Sequence, residues 1–141
     1  MDLTNKTILI TGATDGIGKV LAEEFSKLGS SIILLGKNSS KLDEVYDQLD
    51  HSFNSQKHLI LEADLSLLNN ESAHEILRAV SHEYDALDGI IHNAAILGTM
   101  TPLEDYELSK WDEVLNINLR APFLLTKALK SIVENSTMPR I

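Results

Sequence analysis

Short apolar runs alternate with longer amphipathic stretches along the chain, and this alternation constrains the fold more than any other feature. Four runs have the character of buried strands: residues 7–11, 31–36, 58–64 and 88–94. Between them, apolar residues recur at the three- and four-residue spacing of a helix. Strands with little internal alternation are typical of a parallel sheet with helices on both faces. The order β-α-β-α-β-α-β-α therefore predicts a doubly wound, Rossmann-like α/β sheet.

The limits of the helices follow from capping residues and apolar stripes. Gly29 is expected to end the first helix. The inward stripe of that helix is expected to comprise Ile17, Val20, Leu21, Phe25 and Leu28. The residues expected to cap the later helices are Ser39 or Ser40, Asn69 or Asn70, and Ser109. The last helix should run from near Ser109 towards Asn135, with an interruption at Pro122.

Bulk composition excludes several classes of function. The 141 residues suit one domain, and 43% hydrophobic with 23% charged residues is typical of a globular chain. A net charge of −9 argues against nucleic acid or an anionic membrane as a partner. The absence of cysteine excludes disulfides and thiolate metal sites, and the histidines lack metal-ligand spacing, so no metal site is expected. With no signal-peptide layout and no membrane-length apolar run, a cytoplasmic location is expected.

In a doubly wound domain another strand normally follows the helix after strand four. We therefore interpret residues 1–141 as a partial Rossmann domain that runs from the first strand to the helix after the fourth. The sheet is then truncated after that helix, and the chain is expected to be a fragment or truncated product.

A glycine-rich turn joins the first strand to the first helix. Gly12, Gly16 and Gly18 have the spacing Gly-x-x-x-Gly-x-Gly. Glycines here permit a tight turn, a close approach of backbone N–H groups to a pyrophosphate, and close packing of helix on strand. The helix N-terminus offers unpaired N–H groups and partial positive charge. The context predicts dinucleotide binding, against the alternative of an ordinary glycine turn.

The end of the second strand bears on the choice of dinucleotide. An NAD site usually places an acidic residue there, where it grips the ribose hydroxyls. This chain has Gly36, Lys37 and Asn38 instead. A cation without an acid favours NADP(H) over NAD(H). Asp15 in the glycine turn argues the other way, and a solvated Lys37 without a role is the alternative.

Four segments together resemble a known family. "TGATDGIG" (11–18), "AD" (63–64), "HNAA" (92–95) and "WDEVLNINL" (111–119) are similar in order and spacing to the N-terminal half of short-chain dehydrogenases/reductases. The resemblance implies an NAD(P)-dependent oxidoreductase that transfers hydride between NADP(H) and a carbonyl or alcohol. It implies that the cofactor is bound by Thr11, Gly12, Gly16, Ile17, Gly18, Lys37, Asp64, Leu65, Asn93 and Ala94. Where the family usually has Asn-Asn-Ala-Gly, this chain departs at His92 and Ala95.

The family also uses a catalytic tetrad of Asn, Ser, Tyr and Lys, and the resemblance assigns its asparagine to Asn118. We expect an inward apolar stripe on the helix, formed by Trp111, Val114, Leu115 and Leu119. Asn118 then lies on an apolar face, where a polar group needs partners. The alternative is a core asparagine bound to backbone groups. In the family reading Asn118 holds a water of the proton relay.

Tyr106 and Lys110 have the Tyr-x-x-x-Lys spacing of the family's catalytic pair. Their position disagrees, because they precede the asparagine helix instead of following a fifth strand. Tyr106 is expected before the helix and Lys110 in its first turn, so they need not share a face. Four carboxylates nearby would also oppose ionisation of the tyrosine. We therefore interpret the pair as coincidental and expect the tetrad's Ser, Tyr and Lys to lie beyond residue 141.

Three functions stay open from the sequence. The chain is the cofactor-binding half of an oxidoreductase that is inactive on its own, a non-catalytic dinucleotide-binding module, or a truncation product without function. The partner of the parent protein is expected to be a small carbonyl or alcohol substrate. The resemblance also implies a homodimer or homotetramer, assembled through the helix that carries Asn118. The alternative is that this helix only faces its own sheet.

Overall fold

Four parallel strands form one sheet in the computed structural model, which describes residues 2–141. The strands are β1 (Thr7–Thr11), β2 (Ser31–Gly36), β3 (Leu59–Glu62) and β4 (Gly89–Ile91). Their order is β3-β2-β1-β4, and every pairing is parallel. This confirms the predicted doubly wound α/β fold, with the change in strand order falling between β1 and β4.

The last two strands are shorter than predicted, for local reasons. Before β3, the His58 ring accepts the Ile32 N–H through Nδ1 at 3.0 Å, so a side chain extends the ladder there. After β4, the Asn93 N–H donates to the Ile91 carbonyl at 3.0 Å, which turns the chain out of the sheet. At the outer edge of β4, Gly89 forms a single parallel bridge with Arg140.

Residues 2–141 form five α-helices. They are α1 (Gly16–Lys27), α2 (Ser39–Tyr46), α3 (Asn70–Glu83), α4 (Leu108–Leu115) and α5 (Ala121–Val133). A π-helical segment, Asn116–Arg120, joins α4 to α5 without a break, and a 3₁₀ turn, Leu103–Asp105, precedes α4. None of the helices formed by residues 2–141 combines the length and apolar composition needed to cross a bilayer.

Alternate side chains of the central strands build two cores. Leu9, Ile33 and Leu35 face α3 and α5, whereas the even-numbered residues of β1 and β2 face α1 and α2. Leu9, Ile33 and Leu35 are fully buried, as expected for strands covered on both faces. These helices cover the two faces of the sheet and leave its carboxyl edge uncovered, where the loops after the strands meet.

The predicted inward stripe of α1 is wrong in part. Ile17 and Val20 are 72% and 57% exposed, and the residues buried against the sheet are Gly18, Ala22 and Ser26. Small side chains on this face let α1 approach β1 and β2 closely. Apolar spacing alone indicated the larger residues, which are more hydrophobic but lie on a neighbouring side of the helix. Gly29 follows α1 with φ of +94°, as expected for the residue that ends it.

The predicted stripe of the last helix also faces the wrong way. Trp111, Leu115 and Leu119 share one face, but that face is exposed, while Val114 is partly buried. The inward face begins at Ile117 and continues along α5. Its buried residues are Ala121, Leu124, Leu125, Ala128, Leu129, Ile132 and Val133. An apolar stripe has the same spacing whichever neighbour it meets, so the sequence pattern could not orient it.

Two of the three predicted caps are wrong. Asn38, not Ser39 or Ser40, caps α2, and its side chain accepts the Lys41 N–H at 3.0 Å. Glu107 precedes α4, and Ser109 lies inside the first turn. Asn69 caps α3 in a reciprocal arrangement with Ser72, as predicted.

At Pro122 the predicted interruption of the helix is a change from α-helical to π-helical hydrogen bonding. This proline lies at the start of α5 and has no N–H to donate to the carbonyl of Asn118, four residues earlier. The π-helical segment lies directly before it, and there the Ala121 N–H donates to the Asn116 carbonyl. The helix therefore continues through the proline by taking in an extra residue.

Candidate functional site

A cleft of about 400 Å³ opens at the carboxyl ends of the strands. It lies where the strand order changes, which is the usual ligand position in open α/β sheets. Four loops surround it, from the ends of β1, β2, β3 and β4. The lining residues are Gly12, Thr14, Asp15, Gly16, Gly36, Lys37, Ala63, Asp64, Leu65, Asn93, Ala94, Ala95, Ile96 and Ile117.

Gly12 and Gly18 make close packing possible beneath the cleft. Gly12 has φ of +63°, and a methyl group there would lie 2.8 Å from the Cα of Ala94. A methyl group at Gly18 would overlap the Gly12 carbonyl oxygen and lie 2.5 Å from Nδ2 of Asn93. These positions therefore accept only glycine without movement of the backbone.

Gly16 has a different role at the mouth of the cleft. It has φ of +51°, and a methyl group built there would meet no atom within 4 Å. The open space lies beside the first turn of α1, whose N–H groups have no intrahelical partner. Asp15 accepts the Gly16 N–H at 2.7 Å and so caps the helix. An anionic group such as a pyrophosphate fits this space and these donors.

Thr11 and Asn93 join the ends of β1 and β4 under the cleft. Thr11 is buried, and its hydroxyl oxygen accepts the N–H groups of Asn93 and Ala94, each at 3.1 Å. The Asn93 amide donates to the carbonyls of Thr11 and Gly12, at 3.1 and 3.0 Å. The pair fixes the glycine turn relative to the loop after β4. Thr11 thus supports the cleft without lining it.

Lys37 and Asp64 bring opposite charges to the far end of the cleft. Lys37 follows β2, is exposed, and makes no ion pair within residues 2–141. The Ser66 hydroxyl, donating to Asp64 at 2.7 Å, is the main reason that the pKa of Asp64 lies below its usual range. The charge of Lys37 adds a smaller effect in the same direction. Asp64 is therefore ionised, and Lys37 remains available to an anion.

Asn118 is not buried on an apolar face as predicted. Its side chain is exposed, but both polar atoms are bound to the backbone of Ile96. Oδ1 accepts the Ile96 N–H and Nδ2 donates to the Ile96 carbonyl, each at 2.9 Å. This is the backbone-bound arrangement of the alternative interpretation, on the helix surface instead of in the core. The amide group of Asn118 is thus engaged, and Pro122 has no N–H to donate to its backbone carbonyl.

Tyr106 and Lys110 do not form a pair. Tyr106 lies before α4 and packs edge to face on Trp111, with ring centroids 6.4 Å apart. Lys110, in the first turn, binds Glu113 at 3.0 Å instead. Neither residue lines the cleft, as expected for a coincidental spacing. His92, which departs from the family pattern, is packed against α5: its Nε2 lies 2.9 Å from the Thr126 hydroxyl, and burial lowers its pKa.

Seven of the ten residues predicted to bind cofactor line the cleft: Gly12, Gly16, Lys37, Asp64, Leu65, Asn93 and Ala94. The structure places Thr11 and Gly18 beneath it, and Ile17 points to solvent. Of the seven other lining residues, Asp15, Gly36, Ala63 and Ala95 were noted in the sequence without being assigned to the cofactor, and Thr14, Ile96 and Ile117 were missed. The missed residues lie within three residues of predicted positions, but no side-chain chemistry distinguishes them.

Comparison with known proteins defines the class. A family model described as short chain dehydrogenase matches residues 6–138. The chain therefore belongs to the short-chain dehydrogenase/reductase family, a family of oxidoreductases.

Individual relatives agree in sequence and in fold. The uncharacterized oxidoreductase YciK of Escherichia coli K12 is 33% identical over 134 residues, which make up 95% of this chain and 53% of that protein. A short-chain dehydrogenase structure from Pseudomonas syringae is 35% identical with a TM-score of 0.91, covering 97% of this chain and 55% of that one. One from Escherichia coli CFT073, solved with NADPH, is 32% identical with a TM-score of 0.89, covering 96% and 56%. The chain thus spans about half the length of these relatives.

Proposed function

We propose that the chain binds NADP(H) in the cleft at the carboxyl edge of its sheet. The observation that carries the proposal is the glycine turn, which leaves open space at Gly16 beside the first turn of α1. A pyrophosphate placed there would accept hydrogen bonds from N–H groups in the first turn of α1, apart from that of Gly16, which donates to Asp15. The NADPH-bound relative from Escherichia coli CFT073, of similar fold, supports the choice of ligand.

Each cleft residue has a distinct part in this proposal. The backbone at Gly12, Gly16, Ile17 and Gly18 surrounds the pyrophosphate, and Thr11 and Asn93 fix that turn. Asp64 and Leu65 contact the adenine ring, and Ala94 faces the nicotinamide half. Lys37 binds the 2′-phosphate, because it is a cation in the cleft with no ion pair among residues 2–141. Bound NADP(H) would donate or accept the hydride.

We further propose that the parent protein acts on a small carbonyl or alcohol and that Asn118 belongs to its catalytic tetrad. In this proposal the backbone carbonyl of Asn118 holds the water of a proton relay, while its amide holds Ile96. Within residues 2–141 no serine or tyrosine lines the cleft, and the lysine that does, Lys37, is assigned above to the 2′-phosphate. Residues 1–141 alone should therefore bind cofactor and not turn over.

The exposed stripe supports a homodimer or homotetramer of the parent protein. One exposed face runs along α4, the π-helical segment and the first turn of α5, and each of its apolar residues is at least 40% exposed: Leu108, Trp111, Leu115, Leu119 and Phe123. A contiguous apolar face of this kind indicates a protein contact. The inward face of α5 meets its own sheet, so the contact is proposed for the α4 side of the helix only.

Replacing Lys37 tests the choice of cofactor. In Lys37→Ala we expect the NADPH dissociation constant to rise about tenfold or more through loss of a charge-assisted contact, with the NADH constant unchanged. Titration calorimetry with both nucleotides gives the two constants. Lys41→Ala is the matched control, because Lys41 is an exposed lysine of α2 that does not line the cleft.

Two results would contradict these proposals. If NADH binds the unaltered chain about tenfold more tightly than NADPH, the assignment of NADP(H) is wrong. Steady oxidation of NADPH by purified residues 1–141, with a panel of carbonyl compounds, would show that the chain is catalytically complete. Binding without turnover, in a chain extended to the full length of its relatives, would instead favour a non-catalytic module.

A further inference from the structure

Tyr106 makes a contact that neither catalysis nor cofactor binding accounts for. The hydroxyl end of its half-buried ring lies against Gly98, in the loop after β4. Gly98 has φ of +82°, and a methyl group there would overlap the Tyr106 hydroxyl and lie 2.9 Å from a methyl of Val114. Gly98 is exposed, but the space that a side chain would occupy there is filled by the tyrosine and by Val114 of α4. Trp111 meets the same ring edge to face, at an interplanar angle of 87°.

Gly98 lies two residues beyond the wall of the cleft. Ala94, Ala95 and Ile96 form that wall, and Asn118 holds Ile96 through two hydrogen bonds of 2.9 Å. The loop beyond has few other attachments, since Leu97, Met100 and Leu103 are between 82% and 90% exposed. The wall is thus held at two points, by an amide at Ile96 and by an aromatic ring at Gly98.

We propose that Tyr106 is a positioning residue for the cofactor cleft, which holds the Ala94–Ile96 wall in place by packing its ring on Gly98. This inference rests on the proposed binding of NADP(H). Van der Waals contact carries the role. Phenylalanine at 106 keeps the Cζ atom, which lies 3.6 Å from the Cβ position of Gly98, and should therefore keep the wall in place, whereas alanine should release it.

The first test needs no nucleotide. Hydrogen exchange of the Ala94, Ala95 and Ile96 amides should be faster in Tyr106→Ala than in the unaltered chain, and unchanged in Tyr106→Phe. Trp111 is the only tryptophan of the chain, so its fluorescence reports the same contact. Its emission should shift towards that of a solvated indole in Tyr106→Ala only. Leu103→Ala is the matched control, an 88% exposed side chain on the same segment.

The second test measures the consequence for binding. The NADPH dissociation constant should rise about fivefold or more in Tyr106→Ala and return to the unaltered value in Tyr106→Phe. Gly98→Ala would disrupt the same contact by displacing the Tyr106 side chain, and it should raise the NADPH dissociation constant as Tyr106→Ala does. Tyr106 belongs to neither core cluster, so thermal unfolding should change little and loss of fold would not explain the result.

The outcomes separate this inference from the proposed function. Equal exchange at Ala94–Ile96 in all variants, or the same loss of binding in Tyr106→Phe as in Tyr106→Ala, would overturn the positioning role. If the unaltered chain fails to bind NADPH, the proposed function fails. The exchange and fluorescence results would then still show whether Tyr106 holds the wall.

Discussion

A methyl group added at Gly18 would clash with two atoms that cannot move separately, because a hydrogen bond joins the groups to which they belong. One is the Gly12 carbonyl, which belongs to the turn after β1, and the other is the Asn93 amide, which binds that turn from β4. At Gly16 the same methyl group would enter open space, and only the positive φ opposes it. The glycines of one motif are therefore required for different physical reasons.

Alanine substitutions should separate these reasons. Gly18→Ala should lower the free energy of unfolding by about 1–3 kcal/mol through overpacking. Gly16→Ala should lower it by about 1 kcal/mol, the strain of a left-handed alanine, and its methyl group should still obstruct NADPH. Urea denaturation and NADPH titration of both variants measure the two effects. Equal losses of stability would contradict the distinction.

The sequence predicted a position at the cleft where side-chain chemistry coincides with the end of a strand. Lys37 follows the second predicted strand, Asp64 ends the third in a segment that resembles the family, and parallel strands bring their carboxyl ends together. Ile96 and Ile117 were not recognisable, because they reach the cleft through the bonds of Asn118 and the turn of the π-helical segment. Contacts of that kind depend on backbone geometry, which no local residue pattern encodes.

Among the secondary-structure elements, β2, β3 and the loop after α2 meet at one buried histidine. His58 accepts the Ile32 N–H through Nδ1, which requires its Nε2–H to donate to the Asp50 carbonyl, 2.9 Å away. The rings of Tyr46 and His51 pack around it. Burial lowers the pKa of His58, while the bond to the Asp50 carbonyl opposes that effect. A protonated ring could not accept the Ile32 N–H.

This arrangement predicts a loss of stability in mild acid. The unfolded chain binds a proton at His58 near pH 6.5, whereas the folded chain resists it, so the stabilising contribution is complete above about pH 6.5 and declines as the pH falls below it. The free energy of unfolding should therefore be smaller at about pH 5.5 than at about pH 7.5.

His58→Gln isolates the contribution of this histidine, because an amide can accept and donate at the same places without titrating. Its pH dependence should be shallower than that of the unaltered chain, although His92, whose pKa is also lowered by burial, leaves a remainder in the same direction. His74→Gln, on the exposed face of α3, is the control. An unchanged slope in His58→Gln would refute the assignment to His58.

The helices show why element type was predictable and orientation was not. The helical period predicted four helices in the right order, the last of them interrupted at Pro122, although two of the three predicted caps were wrong. Which face of α1 or α4 meets the sheet depends on how closely two elements approach, and in α1 the closest approach is made by Gly18, Ala22 and Ser26. Small residues contribute little to a hydrophobic stripe, so the packed face was the less conspicuous one.

For the molecule as a whole, the exposed stripe predicts self-association. Sedimentation at increasing concentration should show dimers or larger assemblies for the unaltered chain. The double variant Leu119→Glu with Phe123→Glu should remain monomeric, because two carboxylates cannot be buried in an apolar contact without large cost. These residues are 67% and 63% exposed, so the fold should survive.

Leu97→Glu provides the control for this experiment, since Leu97 is 82% exposed and lies off the stripe. It should associate as the unaltered chain does. A monomeric unaltered chain at all concentrations would contradict the use of this face for a second copy.

The π-helical segment has a consequence for how this chain can change in length. Removing one residue between Asn116 and Arg120 would take out the extra residue of the π-helical turn, and Pro122 has no N–H for the bond that a regular α-helix would need in its place. Asn118 lies within the segment and would then lose its present position beside Ile96. The loop from Leu97 to Asp105 could absorb an added or lost residue far more readily. Insertions and deletions among descendants of this sequence should therefore occur in that loop and not in the helix.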